Sequence, residues 1–252
     1  MWRAPITITT PMITPTNNRA ALELSARADP VGGSGPDTTR HLLHLLAWLS
    51  PAFPTGAFAY SHGLEWVVEA GDVTDGDTLR EWLTFVLLHG TGRSDTILLR
   101  HAHRASGAPA TLADIAELAA AMPAARERQA EALYQGSAFI AAAAAWSAPC
   151  LPERCPYPVA VGALAGAYGI AETDTAAAYL QAFASNLISA AVRLVPLGQS
   201  VGLRVLAGLE RVILSVVETT GTAGLDDLGG CAFRSDLAAM RHETQYTRLF
   251  RS

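Results

Sequence analysis

The chain has 252 residues, half of them hydrophobic and 16% charged, which suits one large domain or two small ones with a sizeable core. Its formal net charge of −5 excludes a typical nucleic-acid-binding protein, because the neutralisation of phosphates requires a basic face. All 18 Lys+Arg residues are arginines, so the chain has neither the lysine of a Gly-Lys-Ser/Thr phosphate-binding loop nor a Schiff-base lysine.

Residues 1–37 are rich in Thr, Pro, Gly and Asn and contain little apolar surface that folding could bury. We predict that they form a mostly disordered N-terminal extension, because burial cannot offset the entropy lost on ordering. The extension lacks the apolar core of a signal peptide. Apolar runs elsewhere, at 139–146 and 212–217, are far shorter than the about 20 residues of a membrane span. Three cysteines are too few for a disulfide scaffold, so we expect a cytoplasmic protein with no membrane segment.

Helical spacing begins near Thr38. The first helix carries a leucine stripe at the i, i+3, i+4, i+7 spacing of one buried face, formed by Leu42, Leu45, Leu46 and Leu49. Pro51 and Pro54 must end this helix, because proline does not fit in a helix interior. A second helix is predicted over 57–70, and Gly71 closes it at a position that favours a left-handed residue.

The rest of the chain continues in helical patterns with turn residues between them. Helices are predicted over about 74–89, 94–104, 111–122, 124–147, 158–169, 173–194 and 196–219, and a short final segment begins at Ser235. Small residues such as Gly162 and Gly166 indicate close helix packing, either within the chain or across a dimer. Strand-like alternation is nearly absent. We predict an all-α, single-domain helical bundle of about nine to ten helices over 38–234, followed by a separate C-terminal segment over 235–252.

The histidines and cysteines do not form a complete set of metal ligands in the sequence. His101 and His103 lie roughly 200° apart around a helix axis, so they cannot bind one ion together. Cys150 and Cys155 supply two of the four ligands that a tetrahedral site needs. Structural or incidental roles are favoured for these residues, and we predict no metal site.

The candidate catalytic groups are equally incomplete. Ser61 and His62 are adjacent, and neighbours on a helix point about 100° apart, which is the wrong geometry for a nucleophile and its base. Glu65 and Glu69 lie one turn apart with His62 one turn before them. This cluster could hold a ligand in a bundle, but a polar helix face explains it more simply. No Gly-x-Ser-x-Gly motif occurs, and we predict that the protein is not an enzyme.

The last residues of the chain combine three arginines with Tyr246, Leu249 and Phe250. Chain ends usually fray, whereas Tyr, Phe and Arg are residue types that anchor protein interfaces. From composition alone, a frayed end and a segment that orders on docking to a partner are equally favoured.

Three sequence runs resemble the signatures of the UreF family of urease accessory proteins, in the same order along the chain. They are LSPAFPTGAFAYSHGLE at 49–65, VRLVPLGQ at 192–199 and HETQYTRLFRS at 242–252. The resemblance extends from about Leu42 to Ser252. Ala59 stands where the family often has serine, and the N-terminal extension is not part of the pattern.

The resemblance implies a non-enzymatic, all-α homodimer that helps to insert nickel into apo-urease. Members of the family couple a nickel-carrying GTPase, UreG, to the accessory protein UreD, also called UreH, and their tail docks on UreD/UreH. Nickel passes through the complex, so no cofactor is expected in this chain. Carried over to this sequence, the predicted partner-binding residues are Tyr60, His62, Glu65, Gln199, Arg241, His242, Glu243, Tyr246, Arg248, Leu249, Phe250 and Arg251.

One alternative stands beside this interpretation. The chain could itself bind and carry nickel, as a helical metal-binding protein, through His41 and His44 or through Cys150 and Cys155. His41 and His44 share a helix face, which permits joint binding but is common by chance. The scaffold is the favoured prediction, because neither pair completes a ligand set.

Overall fold

The computed structural model describes residues 36–146 and 151–252. Within these ranges all regular structure is helical, which confirms the predicted all-α fold, and no helix is both long and apolar enough to cross a membrane. The helices are α1 (Pro36–Trp48), α2 (Leu64–Glu69), α3 (Gly76–His89), α4 (Thr91–Arg104), α5 (Pro109–Ala121), α6 (Arg126–Ala143), α7 (Tyr157–Ala167), α8 (Glu172–Leu194), α9 (Gln199–Gly208), α10 (Glu210–Thr219) and α11 (Phe233–His242). Short 3-10 turns lie at Ala57–Ala59, Ala144–Trp146 and Leu225–Asp227. Residues 1–35 of the predicted extension and Cys150 lie outside the described residues, so the predictions made for them stay predictions.

Residues Pro36–Ser252 pack as one unit, with α4 and α7 in close contact at its centre. A Cβ atom on Gly162 would lie 2.1 Å from the main-chain oxygen of Leu99, and one on Gly166 would lie 2.3 Å from that of His103. Only glycine permits this approach, so the small-residue face of α7 serves packing within the chain. Burial of each large apolar side chain contributes roughly 1.5–3 kcal/mol. The fully buried side chains include Trp48, Leu79, Leu83, Leu99, Phe139, Leu164 and Leu180.

The buried face of α1 differs from the predicted leucine stripe. Leu45 and Trp48 are buried, whereas Leu42 and Leu46 are exposed. The Trp48 ring meets the ring of Tyr168 edge-on, with their centroids 5.4 Å apart. Because the large indole surface gains more from burial than either leucine, it sets the rotation of the helix. The prediction that Leu42 and Leu46 face the core is therefore wrong.

The helix predicted over 57–70 is shorter than expected and begins only at Leu64. Tyr60 has an extended backbone, and His62 and Gly63 have positive φ angles of 61° and 77°. A Cβ atom on Gly63 would lie 2.7 Å from the main-chain nitrogen of Ala239, so α11 crosses the chain at this point. This tertiary contact replaces the first turns of the predicted helix. Residues 61 and 62 are therefore not neighbours on a helix, which corrects the reason given for their poor catalytic geometry.

The helix predicted over 196–219 is divided into α9 and α10. Leu209 forms the junction, and its N–H lies 3.1 Å from the main-chain oxygens of both Val205 and Leu206. Glycine weakens a helix interior, and Gly208 immediately precedes this bend, while the Leu209 side chain is fully buried. Through this division the ten predicted segments become eleven α-helices within the described ranges.

A buried arginine cluster on α4 binds the N-terminal end of α8 and the C-terminal end of α10. The Arg100 guanidinium is buried and donates to Glu172 Oε1 at 2.5 Å and to the main-chain oxygen of Val217 at 2.7 Å. Arg104 donates to the same Oε1 at 2.8 Å and to the main-chain oxygen of Gly221 at 2.9 Å. Basic side chains are favoured at a helix C-terminus such as that of α10. The cluster therefore ties three helices together.

The two histidines near the end of α4 add further ties. His101 Nε2 lies 3.1 Å from the main-chain oxygen of Ala223, and His103 Nε2 lies 2.7 Å from that of Ile170. The two rings therefore reach different parts of the chain. Their contacts agree with the structural role that was favoured for them.

Candidate functional site

The C-terminal tail, defined as residues 243–252, folds back onto its own chain after α11. The N–H of Arg251 donates to the main-chain oxygen of Ala59 at 2.9 Å, and the N–H of Ser61 donates to that of Ser252 at 2.7 Å. The Ser61 hydroxyl donates to the same oxygen, so it is not directed at an imidazole. The tail thus brings the first and third signature runs into direct contact.

Phe250 anchors the tail to the rest of the chain through its buried ring. Its ring is only 4% exposed, and the Arg193 guanidinium lies 4.4 Å from the ring centroid. An arginine over an aromatic face contributes roughly 0.5–2 kcal/mol. Arg193 also donates to the main-chain oxygen of Phe58 at 2.8 Å, so the second signature run joins the other two.

Glu65 receives the main chain of the tail. Its Oε1 accepts from the N–H of Leu249 at 2.6 Å, and its Oε2 accepts from the N–H of Phe250 at 2.9 Å. Glu65 is buried whereas Glu69 on the same polar helix face is exposed, so the two carboxylates have different surroundings. The reason is that the partners of Glu65 lie more than 170 residues further along the chain, where local spacing gives no information about them.

His242 lies between two carboxylates at the end of α11. The residue is fully buried, its Nδ1 lies 2.6 Å from Glu127 Oε2, and its Nε2 lies 3.2 Å from Glu65 Oε2. Arg248 donates to the other oxygen of Glu127 at 2.5 Å. Two acidic and two basic side chains therefore meet in one network that joins α2, α6, α11 and the tail.

Glu131 forms a second buried contact with the tail. Its Oε2 accepts from the Ser252 hydroxyl at 2.6 Å, and its Oε1 lies 2.9 Å from His62 Nδ1. Burial raises the pKa of Glu131, but the charge of Arg128 and the contact with His62 outweigh it and hold that pKa at about 2. Burial and the charge of Arg128 lower the pKa of His62 to about 4. At neutral pH the network therefore contains an ionised Glu131 and a neutral His62.

Two further predicted residues also have partners within the chain. The Glu243 carboxylate accepts from the N–H of Arg126 at 2.6 Å and from that of Glu127 at 3.3 Å, at the N-terminus of α6, where a negative charge is favoured. Tyr60 is buried, which raises the pKa of its hydroxyl, while a hydrogen bond with the Arg251 side chain lowers it.

Other side chains of the same region face outward. Tyr246 is fully exposed, and Leu249 is 64% exposed although its neighbour Phe250 is buried. The outer face of α11 exposes Phe233, Leu237 and Met240 at helical spacing. Exposed apolar groups gathered on one element are typical of interaction surfaces.

The remaining predicted residues lie apart from this network. Arg241 is exposed on α11. Gln199 is exposed at the beginning of α9, and no hydrogen bond within the described ranges joins it to the tail. The partner-binding roles of all these residues stay predictions.

Sequence patterns did not predict a role for Glu127 or Glu131, the two carboxylates that α6 contributes to the site. The two residues are four apart, so they share a face of a helix. A pair of acidic residues on an otherwise alanine-rich helix was the available signal. Nothing in the sequence shows which residues face them, because their partners lie at 242, 248 and 252.

Of the residues in the alternative nickel-carrier prediction, His41, His44 and Cys155 are described by the structure, and Cys150 is not. Within residues 36–146 and 151–252, no three His, Cys, Asp or Glu side chains are gathered to hold a metal ion. His44 stacks on the Trp48 ring with centroids 4.9 Å apart. Burial raises the pKa of Cys155 to about 12, so its sulfur is a thiol at neutral pH. The nickel-carrier alternative stays a prediction.

Comparison with known proteins identifies the family of the chain. The sequence model of the UreF family matches residues 73–210. Proteins named "Urease accessory protein UreF" from Mesorhizobium japonicum and a Bradyrhizobium strain are 51% and 52% identical to it, each over 84% of this chain and over 96% and 92% of their own lengths. The protein of that name from Methylorubrum populi is 51% identical over 83% of this chain and 98% of its own. The predicted resemblance to the family is thereby confirmed, and the chain belongs to the UreF family of urease accessory proteins.

Proposed function

We propose that the protein is a non-enzymatic scaffold in urease maturation. In this proposal it works in the cytoplasm as a homodimer and couples the nickel-carrying GTPase UreG to UreD/UreH and apo-urease, so that nickel is inserted into the enzyme. Nickel is the cargo of the complex, and this chain contributes surfaces. Membership of the UreF family supports the role in urease maturation.

The observation that carries the proposal is the two-sided arrangement of the tail. Phe250 and Ser252 are buried against the chain, while Tyr246 and Leu249 point into solvent. A tail with only a structural role has no need to expose large apolar side chains beside arginines. Tyrosine, arginine and apolar groups are typical of interface centres, so this surface suits the docking of UreD/UreH.

The proposal is tested with variants that change only the outward side. We expect Tyr246→Ala and Leu249→Ala each to reduce capture of UreD/UreH at least tenfold in a quantitative pull-down, because a central interface side chain contributes roughly 2 kcal/mol or more. The matched control is Leu203→Ala on α9, which removes a leucine of similar exposure, 67% against 64%. Capture that is equal in all three variants would contradict the proposed docking site.

A second experiment tests the role of the whole protein. Cells that lack it are expected to make urease protein with little activity and little bound nickel, and the wild-type gene should restore both. Full urease activity in such cells would contradict the proposal. Tight, stoichiometric nickel binding by the isolated chain in calorimetry would also contradict it, because the chain would then act as a carrier.

A further inference from the structure

We infer that a cavity between α4, α6 and α11 binds a small organic cation, namely an amidinium or guanidinium group on a short apolar body. The cavity has a volume of about 150 Å³. Three side chains that can accept hydrogen bonds line it, Ser94 and Asp95 on α4 and Asp236 on α11. The inference concerns the chain itself and does not rest on the proposed function.

The two carboxylates beside the cavity can accept more hydrogen bonds than the chain offers them. Asp95 Oδ2 accepts from the Tyr179 hydroxyl at 2.7 Å, and among the described residues no other side chain donates to Asp95. Within the same residues no hydrogen bond reaches the side chain of Asp236. An ionised carboxylate has about four acceptor sites. Both carboxylates therefore have acceptor sites to spare for a ligand that donates.

The Ser94 hydroxyl is a third polar group without a close partner. Ser94 is only 9% exposed, and it lines the cavity. Its contact with the main-chain oxygen of Gly229 measures 3.5 Å, whereas an O–H···O hydrogen bond is about 2.5–3.0 Å long. A buried hydroxyl without a hydrogen bond is unfavourable. The hydroxyl oxygen can accept from a ligand that lies between the two carboxylates.

The formal charge around the cavity is negative. Arg128 also lines the cavity, but its guanidinium donates to Glu131 on the same helix. One guanidinium therefore serves three carboxylates. Burial raises the pKa of Asp95 to about 6 and also raises that of Asp236, although the charge of Arg128 opposes both changes. A second cation in the cavity would compensate the water that these two carboxylates lose.

The size and the walls of the cavity indicate an organic cation. Its other walls are largely apolar and include Leu98, Met122, Ala132 and Pro158. An engineered protein cavity of about the same volume holds benzene, and apolar walls with a few convergent polar groups are typical of ligand sites. A planar amidinium offers charged N–H groups to the carboxylates, and its apolar body covers the walls. A bare metal ion suits the cavity less well, because no three metal-ligating side chains are gathered in the described parts of the chain.

The inference is tested with benzamidine and with benzamide, its neutral analogue of nearly the same shape. Methyl NMR of the full chain with labelled methionines follows binding, because Met122 lines the cavity and Met240 is exposed on α11. Benzamidine should shift the Met122 signal and leave that of Met240 in place, with a Kd of about 1 mM or lower. Benzamide should bind at least tenfold more weakly, because hydrogen bonds between charged groups are stronger than neutral ones.

Asparagine variants locate the charge that the cation requires. Asp95→Asn and Asp236→Asn should each weaken the binding of benzamidine at least tenfold, since each removes one negative charge from the cavity. Asp114→Asn is the matched control, because Asp114 is exposed on α5 and outside the cavity lining. It should bind benzamidine as tightly as the wild type. Circular dichroism checks that each variant is folded, and if one is not, the comparison of benzamidine with benzamide on the wild type decides.

Three results would overturn the inference. A Met122 signal that benzamidine does not shift would mean that the cavity holds water alone. Equal affinities for benzamidine and benzamide would mean that the carboxylates select no charge. Equal losses in Asp114→Asn and in the two cavity variants would mean that benzamidine responds only to the net charge of the chain. None of these measurements involves UreD/UreH, so their failure leaves the proposed function untouched.

Discussion

Gly63 is the residue at which the segment before α2 packs directly against the main chain of α11. Its φ angle is 77°, and the residue before it, His62, also has a positive φ of 61°. Such a conformation costs a non-glycine residue roughly 1–2 kcal/mol. At His62, the contacts of the imidazole with Arg128 and Glu131 help to offset this cost. Gly63 has in addition no room for a side chain, because the main chain of Ala239 lies against it.

The first prediction concerns the lack of room for a side chain at position 63. Gly63→Ala is expected to lower the free energy of unfolding by roughly 2–4 kcal/mol, because a left-handed alanine is strained and its Cβ would lie 2.7 Å from the Ala239 nitrogen. Urea denaturation followed by circular dichroism measures the change. Gly71→Ala is the matched control, since Gly71 has a φ of 79° and no atom within 4 Å of its Cβ position. Equal losses in the two variants would show that the contact with α11 contributes nothing.

A second prediction concerns Asp95, which accepts from the Tyr179 hydroxyl at 2.7 Å beside a cavity of about 150 Å³. Burial raises the pKa of Asp95 to about 6 from its ordinary value of 3.8. Stability from this group is therefore fully present below about 3.8 and is lost as the pH rises through about 6.

Asp95→Asn should therefore raise the free energy of unfolding at pH 7 by roughly 1–3 kcal/mol and have little effect at pH 4. The asparagine oxygen still accepts from the Tyr179 hydroxyl and carries no charge. Urea titrations at the two pH values measure the difference, with the exposed Asp114→Asn as control. A lower stability of Asp95→Asn at pH 7 would refute the prediction.

At the scale of whole helices, local signals predicted most of the fold. The helix predicted over 173–194 is α8 (Glu172–Leu194), and the one over 74–89 is α3 (Gly76–His89), whose Asp75 caps the first turn. Periodicity and caps act within a few residues, so the sequence shows them directly. Glu65 contacts residues more than 170 positions away, so local spacing could not predict its contacts with His242 and the tail.

The third prediction concerns the contact between α4 and α7. Gly162→Ala should lower the free energy of unfolding by about 3 kcal/mol or more, because its Cβ would lie 2.1 Å from the Leu99 oxygen and the two helices would have to separate. Thermal and urea denaturation measure the loss. Gly198→Ala serves as control, since no atom lies within 4 Å of its Cβ position and a change within about 0.5 kcal/mol is expected. A similar small change at Gly162 would mean that α4 and α7 move apart easily.

Across the whole molecule, the buried charges join parts of the chain that are far apart in sequence. Glu131 on α6 contacts both His62, before α2, and Ser252 in the tail. The pKa of His62 is lowered to about 4 by burial and Arg128, and the pKa of Glu131 is held at about 2 by Arg128 and His62 against the effect of burial. Through these two groups, the unfolded chain therefore binds more protons than the folded one between about pH 6.5 and 2.

The last prediction follows from the sign of this difference. The stability that each of these two groups contributes is fully present above its unfolded pKa, so the contribution of His62 should fall as the pH is lowered from about 6.5, and that of Glu131 below about 4.5. His62→Asn removes the first step, and asparagine tolerates the positive φ of this position. Between pH 6.5 and 4.5 the slope of the free energy of unfolding against pH should be larger for the wild type than for His62→Asn, by up to about 1.4 kcal/mol per pH unit.

Asp95 titrates in both proteins, so its contribution cancels in the comparison. The control variant His41→Asn should keep the wild-type slope. Parallel curves for wild type and His62→Asn would mean that the imidazole is as easily protonated in the folded chain as in the unfolded one.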